Sequence, residues 1–93
     1  MPQRRVTVGS RVGLHARPAA LFVQAAAAQD VPVTIGKDGV EPVDARSILS
    51  VIGLDAKGGE EVVLHAEGEG AEAALDALET VLETDHDTSE KPT

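Results

Sequence analysis

Cysteine, tryptophan and tyrosine are absent from this chain, and phenylalanine occurs once. Without cysteine there is no disulfide framework and no thiolate metal site. With almost no aromatics, Ala, Val, Leu and Ile must fill the core. No apolar run approaches the ~20 residues that span a bilayer. The first residues lack the charged-then-apolar pattern of a signal peptide, so a cytoplasmic, non-membrane protein is expected. Bases are scarce as well. Eight Lys and Arg face sixteen Asp and Glu, a net charge of −8 that disfavours general nucleic-acid binding.

The charge is unevenly spread. Residues 1–29 hold Arg4, Arg5, Arg11 and Arg17 and no acid, a net +4, while residues 30–93 carry −12. An acidic protein with a cationic N-terminal third should draw anions, or an acidic partner surface, toward that end. Ninety-three residues suffice for one domain. We place its boundary at 1–84. Residues 85–93 are polar, contain Pro92 and lack apolar side chains, which reads as a disordered tail.

Periodicity supplies the elements. Arg4 to Val8 alternates as a strand, with Val6 and Val8 on one face. A helix is expected from about Ala16 to Gln29, its buried face left open by a broad apolar stripe. Val33 to Ile35 and Val40 to Val43 flank the turn signal Lys37-Asp38-Gly39 and read as a hairpin. Pro42 makes the second of these an edge or irregular strand. Ser47 is a strong N-cap for a short helix, and Gly53 is the expected stop. Glu60 to Ala66 alternates again. Ala71, Ala74, Leu75, Leu78, Val81 and Leu82 mark a final amphipathic helix. The order β-α-β-β-α-β-α with a single tight hairpin predicts an α+β fold, a four-stranded antiparallel sheet with helices on one face. The other face, bearing Thr7, Thr34 and His65, would meet water.

One stretch concentrates chemistry: Gly13-Leu14-His15-Ala16-Arg17-Pro18-Ala19-Ala20. Gly13 lets the backbone turn. Pro18 suits a first helical turn, where its missing N–H costs nothing. His15 therefore lies just ahead of a helix start, where free N–H groups and the dipole favour an anion. Arg17 adds a forked donor matched to phosphate. An imidazole in such a place can take a phosphoryl group on nitrogen. Two local geometries fit the Arg-Pro pair: Arg17 as N-cap, or an irregular first turn, because a residue before proline avoids the α region.

GLHARPAA resembles the active-site string of the HPr phosphocarriers of the bacterial sugar phosphotransferase system. Ala45 to Leu54 resembles that family's regulatory-serine segment, and the likeness runs from about Gln3 to Glu83. The resemblance implies an open-faced β-sandwich. It implies a phosphoryl group carried on Nδ1 of His15, received from enzyme I, itself charged by phosphoenolpyruvate, and passed to sugar-specific IIA components. Arg17 and the backbone of Ala16 and Arg17 would hold the phosphate. Ile48, Leu49 and Ile52, with Ala20, would dock partners. Ser47 would be a regulatory site for an HPr kinase/phosphorylase, linked to a transcriptional regulator. A monomeric carrier with no cofactor and no metal, rather than an enzyme, is implied.

Two other classes compete. One is a regulatory relative, from a nitrogen branch or acting as a transcription-factor co-regulator, with little role in sugar uptake. The other is a small acylphosphatase-like enzyme, which needs a water-positioning asparagine. The sequence has none. His65 and His86 suggest no metal pair.

Overall fold

The computed structural model describes residues 2–11 and 13–84. Seven elements follow: β1 (Gln3–Thr7), α1 (Ala16–Ala27), β2 (Val33–Lys37), β3 (Val40–Asp44), α2 (Ile48–Leu54), β4 (Glu61–Ala66) and α3 (Ala71–Glu83). The tail expected at 85–93 lies outside the described residues. The strands form one sheet in the order β1-β4-β2-β3. Every pairing is antiparallel, with Val6 opposite Val62, Ile35 opposite Leu64 and Ile35 opposite Val43. β2 and β3 make the hairpin, turning through Gly39 at φ 81°. The ladder slips between Ile35 and Lys37, where Pro42 of the edge strand lies against Gly36. That is where a proline without an N–H is tolerated.

The inward strand positions, Val6, Val33, Ile35, Val62, Leu64 and Ala66, are all buried. The helices lie on this face, as expected. α3 covers it with Ala71, Ala74, Leu75, Leu78 and Leu82. α1 buries Pro18, Ala19, Phe22 and Ala26, which settles the face that its broad stripe left open. Phe22 is fully buried, a gain of about 1.5–3 kcal/mol over exposure. Spacings of three and four residues put Ala19, Phe22 and Ala26 on one face, and these small and flat side chains let α1 approach α2 and α3.

Two boundaries differ from the sequence reading. α1 stops at Ala27 rather than Gln29, because Gln29 turns its side-chain amide back onto the Ala25 carbonyl (2.9 Å) and ends the ladder. α2 does not stop at Gly53. It runs to Leu54, and Asp55 takes the left-handed capping conformation (φ 56°, ψ 44°), donating its N–H to the Ile52 carbonyl. Leu54 is needed in the core, where it is buried beside Val51, so the helix continues past the glycine.

Candidate functional site

The site is built where two loops are fastened together. Val8, Ser10, Gly13 and Leu14 lie against the segment 56–60. Leu14 N–H donates to the Ala56 carbonyl (2.8 Å), and Gly59 N–H donates to the Val8 carbonyl (2.9 Å). Gly13 has φ 78° and backs so closely onto Ala56 and Lys57 that a β-carbon would stand 2.4 Å from the Ala56 oxygen. Gly58 is equally close to the Ser10 carbonyl. Leu14 is buried and anchors the loop end in the core. The next residue, His15, emerges at the surface.

His15 is the N-cap of α1, in an extended conformation (φ −132°, ψ 159°), and its side chain makes no capping hydrogen bond. The first turn is irregular at Ala16, the residue after the cap, whose φ is 52°. Of the two geometries open in the sequence, the irregular first turn is the one adopted, and Arg17 is not the cap. A left-handed alanine costs on the order of 1–2 kcal/mol, a cost carried at the point where the chain turns from the histidine into the helix. Ala16 and Arg17 are exposed, Pro18 is buried, and Ala20 is half-buried. The N–H groups of this first turn have no intrahelical partners to satisfy.

The imidazole is not alone. Its Nε2 lies 3.3 Å from Oδ1 of Asp55, with both side chains substantially exposed. Lys57 holds the other carboxylate oxygen at 2.8 Å. Lys37 reaches the Asp55 backbone carbonyl at 3.0 Å. The Lys57 ammonium, and behind it the imidazole, hold the Asp55 carboxyl below its ordinary range. Sequence reasoning missed Asp55. The visible signal was an acid, not a glycine, just beyond a short helix and two residues before a lysine. Its nearness to His15 is a property of the loop packing.

Ser47 caps α2, its Oγ accepting the Ser50 N–H at 3.3 Å. Because Val51 and Leu54 face the core, Ile48, Leu49 and Ile52 are left outside, and Leu49 is 80% exposed. Ile52, at the C-terminal end of this patch, lies three residues before Asp55, the contact of His15. Side chains of this kind usually mark a partner surface.

Two of the four arginines of the N-terminal third, Arg4 and Arg5, are engaged away from His15. Arg4 crosses to α3 and binds Glu72, Asp76 and Glu79 at 2.6–2.9 Å. Asp76 and Glu79 raise its pKa further above the ordinary arginine value. Arg5 pairs with Glu61, and Arg46 pairs with Asp44. The cationic segment therefore divides. Its strand portion ties down the sheet, and Arg17 is left as the exposed cation nearest His15 in the chain. Among the described residues no cluster of three or more His, Cys, Asp or Glu could hold a metal ion. No helix among them is long and apolar enough to cross a membrane.

A half-exposed histidine thus stands at the start of a twelve-residue helix, on a small four-stranded open sheet covered by helices on one face. The chain belongs to the HPr family of the phosphotransferase system: the family model described as "PTS HPr component phosphorylation site" matches residues 2–84. It is 60% identical over 78 residues to a phosphocarrier protein HPr of Streptomyces coelicolor, covering 84% of each chain. A crystal structure of HPr from Bacillus anthracis superposes with a TM-score of 0.82 at 42% identity, covering 87% of this chain and 95% of that one. A crystal structure of Crh, the Bacillus subtilis catabolite-repression protein described as a swapped dimer, matches with a TM-score of 0.69 at 42% identity. It covers 89% of this chain and 94% of that one.

Proposed function

We propose that this chain is a cytoplasmic phosphocarrier of sugar uptake. It accepts a phosphoryl group on His15 from phosphoenolpyruvate-charged enzyme I and delivers it to IIA components. The observation that carries the reading is the state of His15: an N-cap whose imidazole is half-exposed and makes no capping bond. Transfer in both directions needs a phosphate that is held but not enclosed. The N–H groups of Ala16 and Arg17, the helix dipole and the Arg17 guanidinium provide charge-assisted contacts of that moderate strength. Ile48, Leu49, Ile52 and the neighbouring Ala20 form the docking face. The chain acts as a monomeric carrier within the span 1–84, and its partners, not itself, complete the catalytic apparatus.

The test is direct. The protein is incubated with phosphoenolpyruvate and purified enzyme I, and its mass is measured. One added phosphoryl group, labile in acid and stable in base, is expected. No mass change with an active enzyme I would overturn the reading.

Ser47 supports a second layer, regulation by an HPr kinase/phosphorylase and a transcriptional regulator. Its hydroxyl oxygen caps α2 directly beside the apolar patch. A phosphate there is tolerated by the helix end and disfavours an acidic partner. The likeness to a catabolite-repression protein favours weighing this reading beside sugar uptake. Ser47→Asp should leave stability within about 0.5 kcal/mol, since aspartate is an equally good N-cap. Transfer from enzyme I should slow, most at low salt. Unchanged transfer kinetics at low salt would remove α2 from the docking face.

A further inference from the structure

We propose that Asp55 is a positioning residue for phosphoryl transfer: it holds the proton of His15 on Nε2 and leaves Nδ1 as the nucleophile. This rests on the phosphocarrier reading given above. The contact joins Nε2 to Oδ1 at 3.3 Å, and an ionised carboxylate can only accept. The neutral imidazole is therefore biased to the tautomer with its proton on Nε2. Its other nitrogen, on the opposite edge of the ring, keeps its lone pair.

Three features indicate that Asp55 is placed for this task. A left-handed cap is ordinarily glycine, and an acid opposes the dipole at a helix C-terminus. Asp55 breaks both preferences at once. Lys57 occupies the second carboxylate oxygen at 2.8 Å, so Oδ1 is the one that faces the ring. Lys37 fixes the Asp55 carbonyl, and the Leu14–Ala56 hydrogen bond fixes the two loops. The charged groups tied to this segment are then Lys37, Lys57 and Glu60. Lys57 also offsets the repulsion that a bare carboxylate would exert on an approaching phosphoryl group.

The step balances as follows. The Nδ1 lone pair attacks phosphorus and the N–P bond forms. The bond from phosphorus to the donor breaks, and its electron pair stays with the donor. The proton on Nε2 does not move. The phosphorylated ring is now cationic, with its N–H facing Asp55, so the carboxylate stabilises the product as well as the attacking tautomer. Return transfer reverses each change.

The test compares wild type with Asp55→Gly and Asp55→Asn. Glycine suits the left-handed cap, so the fold should hold or gain slightly. With 15N-labelled protein above the histidine's titration range, the share of the Nδ1–H tautomer should rise about two- to fivefold in Asp55→Gly, the range an exposed ion pair spans. Phosphoryl acceptance from enzyme I should slow by a similar factor of about two to five. Asp55→Asn, which keeps an acceptor but no charge, should fall between. Identical tautomer populations in wild type and Asp55→Gly would overturn the proposal. So would a shifted tautomer with unchanged transfer in both directions. The NMR measurement needs no enzyme I, so a wild type that accepts no phosphoryl group is separately recognised as failure of the phosphocarrier reading.

Discussion

His15→Ala should abolish phosphoryl acceptance while leaving the protein folded. The expected mass increment after incubation with phosphoenolpyruvate and enzyme I is zero, and thermal stability should stay within about 0.5 kcal/mol of wild type. The structural reasons are specific. The imidazole is half-exposed and outside the buried core, so little packing is lost. It makes no capping hydrogen bond, so α1 loses no cap when it is removed. Its contact is to an exposed carboxylate that Lys57 continues to neutralise, so no buried charge is stranded. Chemistry and fold are thus separable at this residue. A variant that still gains a phosphoryl group would move the acceptor elsewhere. One that unfolds would show that the histidine supports the loop in a way its contacts do not reveal.

Much of this molecule could be read from the sequence, and the parts that could not share a cause. α3 was legible because its apolar residues recur at helical spacing on one face. β4 was legible because Val62, Leu64 and Ala66 alternate with outward residues. The hairpin was legible in its Asp-Gly turn. The caps at Ser47 and the exposure of Ile48, Leu49 and Ile52 followed from which α2 residues the core requires. These are local patterns. The buried face of α1 was not legible, since alanines on all sides carry no preference and only contact with α3 and α2 decides. Gly53 read as a stop, but the demand for Leu54 in the core outweighed a glycine's preference for the cap. Summed charge also misled. Arg4 and Arg5 belong by sequence to the histidine segment and by contact to α3 and β4. The Asp55–His15 pair, forty residues apart in the chain, is of the same kind. The loop packing brings it together, through the close approach of Gly13 to Ala56, the Leu14–Ala56 hydrogen bond and the Lys37 contact, and no spacing encodes that.

That close approach should make Gly13→Ala strongly destabilising, lowering stability by about 2–4 kcal/mol. Two effects combine. Gly13 has φ 78°, a region that costs an alanine on the order of 1–2 kcal/mol. The added β-carbon would also stand 2.4 Å from the Ala56 oxygen and 2.9 Å from the Lys57 α-carbon. Both are backbone atoms, so no side chain can swing aside. The obstructed oxygen is the acceptor of the Leu14 N–H, hence relief of the clash must stretch the bond that fastens the loops. In a domain of this size the melting temperature should fall on the order of 10–25 °C. Gly39→Ala is the control. Gly39 has an almost identical φ of 81°, but nothing lies within 4 Å of its would-be β-carbon. It should lose only the conformational part, about 1–2 kcal/mol. Urea titration of both variants isolates the contact as the difference between them, provided their m-values agree. The function should follow the same division. Gly13→Ala moves the loop carrying His15 away from Asp55, so its remaining folded fraction should show an altered imidazole tautomer ratio and slower phosphoryl acceptance. Gly39→Ala, at the far hairpin, should show neither. Equal losses of stability in the two variants would mean that the loops are not held by this contact, and that the His15–Asp55 geometry is maintained by the Lys37 and Lys57 contacts instead.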